Sequence, residues 1–268
     1  MIATPATIEC ENLVHSFGSN RALDGTSFTV YPGEIFGLLG PNGAGKTTTI
    51  RILATLLPPD SGIARVAGRD VRHDAMMVRR LLGYVPQQLS ADASLTGYEN
   101  VWLFARLYDV PRAERKDRIQ EALVTMGIAD SADRMVSTYS GGMVRRLEMA
   151  QALVNRPRVL ILDEPTVGLD PVARAGVWER VRSLRDELDM TVLLTTHYME
   201  EADALCDRVA MMHRGTIRAL GTTDALKAEL GADATLDDVF RHFTGDLLDD
   251  QGSFRDVRTA RRTARRLG

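Results

Sequence analysis

Only two of the 268 residues are cysteine, Cys10 and Cys206, so no disulfide framework holds this chain together and a reducing compartment is expected. Long apolar runs are missing as well, and none approaches the roughly 20 residues that a membrane-spanning helix requires. The first ten residues, M-I-A-T-P-A-T-I-E-C, carry no basic stretch ahead of an apolar core, so a signal peptide is not expected. Nor is charge of one sign in excess. The 33 basic and 36 acidic residues leave a net charge of −3, which gives no overall reason to invoke nucleic acid or an anionic lipid surface. What is present, 44% hydrophobic and 26% charged residues, is the composition of a globular protein with a sizeable core.

Against that plain background three short segments stand out. The first is Gly40 to Thr47, G-P-N-G-A-G-K-T, followed by Thr48. It comes after the apolar run Glu34 to Gly40, which reads as a buried strand. It opens a stretch from Thr47 to Leu57 whose helical spacing predicts a helix stopped by Pro58-Pro59. A strand, a glycine-rich loop and a helix form the context in which this motif holds phosphate. The backbone N–H groups of Gly40, Pro41-Asn42-Gly43, Ala44 and Gly45, proline excepted, can turn towards phosphate oxygens beside the positive end of the helix. Lys46 supplies a point charge for β- and γ-phosphates, and Thr47 a hydroxyl for Mg²⁺.

The second segment is Arg158 to Asp163, R-V-L-I-L-D, followed by Glu164-Pro165-Thr166. Four consecutive apolar residues indicate a strand buried on both faces, as in parallel sheets. Asp163 and Glu164 emerge at its carboxyl end, where such sheets bind ligands. Asp163 suits Mg²⁺, and Glu164 suits accepting a proton from an attacking water. The third segment is Ser140-Gly141-Gly142, ahead of the amphipathic stretch M-V-R-R-L-E-M-A-Q-A-L-V. Ser140 is an N-cap candidate, and the glycines leave helix-end N–H groups open to an anion. A chain that already has one phosphate cradle has no evident need of a second. The economical explanation is that this one closes over nucleotide held by another copy, head to tail.

In this order the three segments resemble the motifs of ABC transporter ATPase subunits, over about residues 7 to 245. The resemblance implies a P-loop NTPase (RecA-like) α/β core, with a small antiparallel β-subdomain and an inserted helical subdomain at about 88–155. It implies ATP and Mg²⁺ as cofactors and hydrolysis as the activity. Gln87, in G-Y-V-P-Q, takes the Q-loop position, with a role towards Mg²⁺ and the attacking water. Asp170, in G-L-D, takes the D-loop position facing a partner subunit. His197, after L-L-T-T, takes the switch position that contacts the γ-phosphate, and Phe17, in V-H-S-F-G, that of the aromatic stacking on adenine. Two positions depart from the usual L-S-G-G-Q: Tyr139 and Met143, the latter without the amide groups of glutamine. The Y-S-G-G-M form, with T-L-D-D-V-F and T-G between Thr235 and Gly245, is similar to the ATPases of ABC-2-type exporters, the daunorubicin-resistance drug efflux group among them.

The implied partners are a second copy of the chain and separate multi-spanning permease subunits, on the cytoplasmic face of a bacterial membrane. The alternatives are a soluble ABC-type ATPase of DNA repair or translation, or an ABC engine for another cargo. The coiled-coil insertion of repair members and the fused domains of translation members are not found, since each motif occurs once.

Local signals organise the rest. I-E-C-E-N-L-V and T-S-F-T-V predict strands of the β-subdomain, and an ATPase domain over 7–220 is expected to be followed by a short helical extension at 221–245. Thr96-x-x-Glu99 predicts a capping box, Pro111 the first position of the next helix, and Gly127 its end. Tyr98, Trp102, Phe104 and Tyr108 are candidates for a permease-docking groove, or else core. Beyond residue 245 a basic tail, six arginines and one acid from Phe254 onward, is expected to be a solvated terminus or a lipid-touching helix.

Overall fold

The computed structural model describes residues 5–231 and 233–245, so the arginine-rich tail lies outside the described residues. In chain order the strands are β1 (Ile8–Phe17), β2 (Asn20–Val30), β3 (Ile35–Leu39), β4 (Ser61–Val66), β5 (Arg69–Asp70), β6 (Leu82–Val85), β7 (Val159–Asp163), β8 (Thr191–Thr196), β9 (Arg208–His213) and β10 (Thr216–Thr222). The helices are α1 (Lys46–Leu53), α2 (Ala75–Leu81), α3 (Gly97–Leu107), α4 (Arg115–Thr125), α5 (Gly141–Leu153), α6 (Pro171–Leu188), α7 (Met199–Leu205), α8 (Thr223–Ala228) and α9 (Leu236–Thr244).

Two sheets result. The central one has the order β10-β9-β3-β8-β7-β6, parallel throughout except for β10 at its edge. Every residue of β3, β7 and β8 is buried, the two-sided burial that the apolar runs of β3 and β7 foretell. Alternation then assigns each side chain to a face. Leu160 and Leu162 join the core beneath α3 to α7, whereas Val159 and Ile161 join the core shared with α1 and the second sheet. That second sheet is antiparallel, with the order β2-β1-β4-β5.

The helices α3, α4 and α5 pack on one another between β6 and β7, where the inserted lobe is expected. Thr96 and Glu99 form the capping box at the start of α3, each side chain bonded to the other's backbone N–H. Two local expectations need correction. α1 ends at Leu53, four residues short of Leu57. Thr55 turns into the left-handed region (φ 61), and the N–H groups of Leu56 and Leu57 fold back onto the Arg51 carbonyl at 2.8 and 3.2 Å. That back-turn lets Leu57 pack on the core, so the helix is closed before the prolines are reached. Pro111 is not the first residue of α4. It accepts the Glu114 N–H at 2.9 Å in a preceding turn, because Val110 must first be buried, and α4 starts at Arg115. Gly127 (φ 63) does lie just past the end of that helix, its N–H donating to Val124.

Candidate active site

The glycine-rich loop leaves the carboxyl end of β3 and runs into α1. At Gly40 (φ 154) a Cβ would collide with the Met212 carbonyl, and at Gly45 (φ 111) it would lie 2.7 Å from the Ala22 carbonyl oxygen. Gly45 is the N-cap of α1 and has no side chain to cap it, so first-turn N–H groups remain available to an anion. Lys46, 5% exposed, donates to the carbonyls of Gly40 and Pro41 at 2.7 and 3.2 Å, and its Nζ stands 3.4 Å from Glu164 Oε1. Burial draws the ammonium below its ordinary pKa, against the opposing charges of Glu164 and Asp163.

Opposite the loop, β7 delivers Asp163 and Glu164. Glu164 is a buried non-glycine residue in the left-handed region (φ 47), on which three groups converge. Gln87 donates to Oε2 at 3.0 Å, Lys46 stands 3.4 Å from Oε1, and Nδ1 of His197 lies 3.2 Å from the same oxygen, outside hydrogen-bond geometry. Burial alone would raise the Glu164 carboxyl. The His197 contact and the Lys46 charge outweigh it and hold the group below the usual carboxylate range. Asp163 moves the other way: burial pushes it up and the Glu164 charge adds to that, with the Thr195 hydroxyl in opposition. Thr195, at the end of β8, donates to Asp163 Oδ1 at 2.6 Å, and its Oγ1 accepts the Glu164 N–H at 3.0 Å. One hydroxyl therefore sets both acids.

A hollow of about 510 Å³ is lined by Phe17, Asn20, Arg21, Ala22, residues 41–48, Gln87, Glu164 and Arg214. Phe17 is half exposed at its rim, with its ring edge-on to buried His15 at 4.6 Å. Asn20, Arg21 and Arg214 were not legible as site residues: the first two open β2 and the third lies in the β9-β10 turn, none within a motif, and only the fold brings them to the loop. A second hollow of about 570 Å³, which Pro32, Gly68 and Leu188 help line, has no lysine and no glycine-rich loop. Chemistry, not size, selects the first.

Ser140, Gly141, Gly142 and Asp170 do not line this hollow. Ser140 caps α5, accepting the Met143 N–H at 3.3 Å, and Asp170 caps α6, accepting from Val172 and Ala173. The two caps adjoin: a Cβ on Gly141 would meet Leu169 Cδ2 at 3.2 Å, and one on Gly142 would meet Ala173 Cβ at 3.0 Å. Ser140, Gly141 and Asp170 are exposed and Gly142 is buried, so the start of α5 meets the surface at its first two residues, outside the hollow. Tyr139, one of the two departures, donates its hydroxyl to the Ser131 carbonyl at 2.6 Å and so anchors the approach to α5.

A parallel sheet that presents a glycine-rich phosphate loop, a buried lysine and two acids at its carboxyl edge defines a P-loop nucleotide-hydrolysing protein. Comparison with known proteins places it further. Residues 23–167 match the ABC transporter family model. The chain is 48% identical over 84% of its length to 68% of the daunorubicin/doxorubicin resistance ATP-binding protein DrrA of Streptomyces peucetius. It is 46% identical over 85% of its length to 75% of the Nod factor export ATP-binding protein I of Paraburkholderia xenovorans. Among solved structures it superposes on an ATP-binding subunit of an ABC transporter with a TM-score of 0.78 and 29% identity, covering 89% of this chain and 99% of the other. The chain belongs to the ABC transporter family and is an ATP-binding, ATP-hydrolysing member of it. No helix among the described residues is long and apolar enough to cross a membrane.

The site's chemistry also bears on Mg²⁺. Asp163 spends one oxygen on Thr195 and is held in a desolvated place that disfavours its charge, an arrangement a cation relieves. No group of three or more His, Cys, Asp or Glu side chains able to hold a metal exists among the described residues. The donor set, one acid with the Thr47 hydroxyl, fits an ion that keeps waters and takes phosphate oxygens as ligands, as Mg²⁺ does.

Proposed function

We propose that two copies of the chain pair head to tail, bind two ATP between them, and drive a separate permease that exports a hydrophobic drug or lipid-like compound. The observation that carries this reading is the partly exposed cradle at Ser140–Gly142. It is a capped helix start with free N–H groups, next to Asp170 yet not part of the hollow that the chain's own phosphate loop lines. On this reading the loop from Gly40 to Gly45, Lys46, Thr47 and Thr48 holds the phosphates of one ATP, and Phe17 stacks on its adenine. Ser140, Gly141 and Gly142 of the partner close over the γ-phosphate, and Asp170 lies along the seam.

Phosphate competes with the Gly40 and Pro41 carbonyls for Lys46, so binding frees the lysine from its present partners. Glu164, kept ionised by its neighbours, accepts the proton of the attacking water, which Gln87 and His197 orient from either side of the same carboxylate. Asp163, Thr47 and Gln87 hold Mg²⁺, which when bound neutralises charge on the transferring phosphoryl group.

Support for export comes from the relatives, one named for Nod factor export and another for resistance to daunorubicin and doxorubicin. With such partners the chain sits peripherally on the cytoplasmic face of a bacterial membrane. Purification from native membranes tests the reading. Recovery of a multi-spanning partner supports it; recovery on ribosomes or DNA would favour the soluble alternative.

A further inference from the structure

We propose that Arg145 is a positioning residue for hydrolysis: its guanidinium clamps the backbone on both sides of Glu164 and the residue before Gln87. The proposal rests on the roles just given to those two side chains. Arg145 is 3% exposed and makes three hydrogen bonds to backbone carbonyls and one to the Glu148 carboxylate. Nε donates to the Pro165 carbonyl at 2.9 Å and Nη2 to the Asp163 carbonyl at 2.9 Å, so one planar fork spans Glu164. Nη1 donates to the Pro86 carbonyl at 2.6 Å and to Glu148 Oε2 at 3.0 Å.

Glu164 has reason to need such a fork. It is held at φ 47, a conformation a residue with a Cβ adopts only where its surroundings enforce it. The Thr195 hydroxyl fixes its N–H from β8, and Arg145 fixes the carbonyls before and after it from α5.

The clamp belongs to a longer polar stripe. Arg145, Glu148 and Gln151 recur every third residue along α5, and all three are buried. Arg145 takes the Pro86 carbonyl, Glu148 accepts both the N–H and the hydroxyl of Ser90, and Gln151 donates to Asn100 Oδ1 at 3.2 Å. Asn100 in turn accepts the Asp92 N–H at 2.9 Å and returns a bond to its carbonyl. α5 thus grips the segment 86–92 directly at Pro86 and Ser90 and, through Asn100 of α3, at Asp92, while its own first residues form the proposed cradle. The helix that meets the partner's nucleotide is the helix that sets the geometry of this chain's hydrolytic acid.

A lysine in place of Arg145 retains the charge beside Glu148 but cannot span two carbonyls. For Arg145→Lys we expect kcat to fall about 10²-fold, as a misplaced reacting group does. KM, ATP binding and ATP-dependent pairing should stay within about twofold, because the phosphate loop is untouched. Arg145→Met combined with Glu148→Gln leaves no buried charge unpaired and still offers Ser90 an acceptor. It should fold, bind ATP and be equally slow. Wild-type kcat in this double variant would overturn the proposal. So would an Arg145→Lys chain that loses ATP binding, pairing and thermal stability in step with turnover, since the residue would then merely hold the fold. Glu164→Gln assayed alongside reports separately on the underlying reading. Full turnover there removes the assigned base, whereas full turnover in the Arg145 variants beside an inactive Glu164→Gln removes only the clamp.

Discussion

Glu164 gathers Gln87, Lys46 and His197 around one carboxylate, and its removal has a definite expected cost. Glu164→Gln should bind ATP as the native chain does and lose about 10²–10⁴-fold in turnover, some 3–5 kcal/mol of barrier. A steady-state assay beside a binding titration checks it. Asp163 offers a prediction of opposite sign for stability. Its folded pKa is raised, so its ionised form costs stability at pH values above that pKa, and the cost fades as pH falls through it. Asp163→Asn keeps an acceptor for Thr195 and removes the charge. The nucleotide-free variant should melt higher at neutral pH, by roughly 2–4 °C for each kcal/mol relieved, and the gain should shrink in acid. Its turnover should be lost. Melting curves at two pH values decide this. These acids stood out because an apolar strand ending in D-E accompanies a phosphate loop in the same chain; alone, the pair would read equally well as a solvated strand-end turn. Thr195 and Arg145 were not, because a threonine in a strand and an arginine in a helix carry no signal until the fold aims them.

Element by element, the sequence was clearest where local chemistry alone decides. The Thr96 and Glu99 box starts α3 and Ser140 starts α5, as their spacing foretells, because a cap is settled within one turn. Thr96→Ala should therefore cost about 0.5–2 kcal/mol in denaturant unfolding, with ATP affinity unchanged. Where tertiary packing competes, the sequence misled: α1 gives up its last turn so that Leu57 can reach the core, and Pro111 yields its place to the burial of Val110. The aromatics of α3 divide for the same reason. Tyr98, Phe104 and Tyr108 pack against the core, whereas Trp102 (40% exposed) shares the outer surface with Leu103 (41%) and Leu107 (68%). Replacing Leu103 and Leu107 with glutamate should leave melting and ATP binding unaltered and abolish co-purification with the permease. Retained co-purification would move the docking surface elsewhere.

At the scale of the whole molecule, the central sheet brings the phosphate loop, Lys46 and Glu164 together at one hollow, and the capped start of α5 lies outside it. The order of the motifs made both segments legible as sequence, but their separation is a property of the fold. The claim that two chains complete each other's sites is best tested at Gly141. Gly142 is less suitable, because any side chain there presses on Ala173. At Gly141 the nearest neighbour of a new Cβ is the flexible end of Leu169, and an acid in the first turn of α5 favours the helix. In a closed dimer the same acid would face the partner's γ-phosphate, a like-charge contact in a partly desolvated site. The measurement is ATP binding and ATP-dependent pairing of the Gly141→Asp chain, by equilibrium titration and by sedimentation with and without nucleotide. The account predicts ATP affinity within about twofold of the native chain, with pairing and turnover abolished. Loss of ATP binding by the folded monomer, or pairing that survives the substitution, would contradict it.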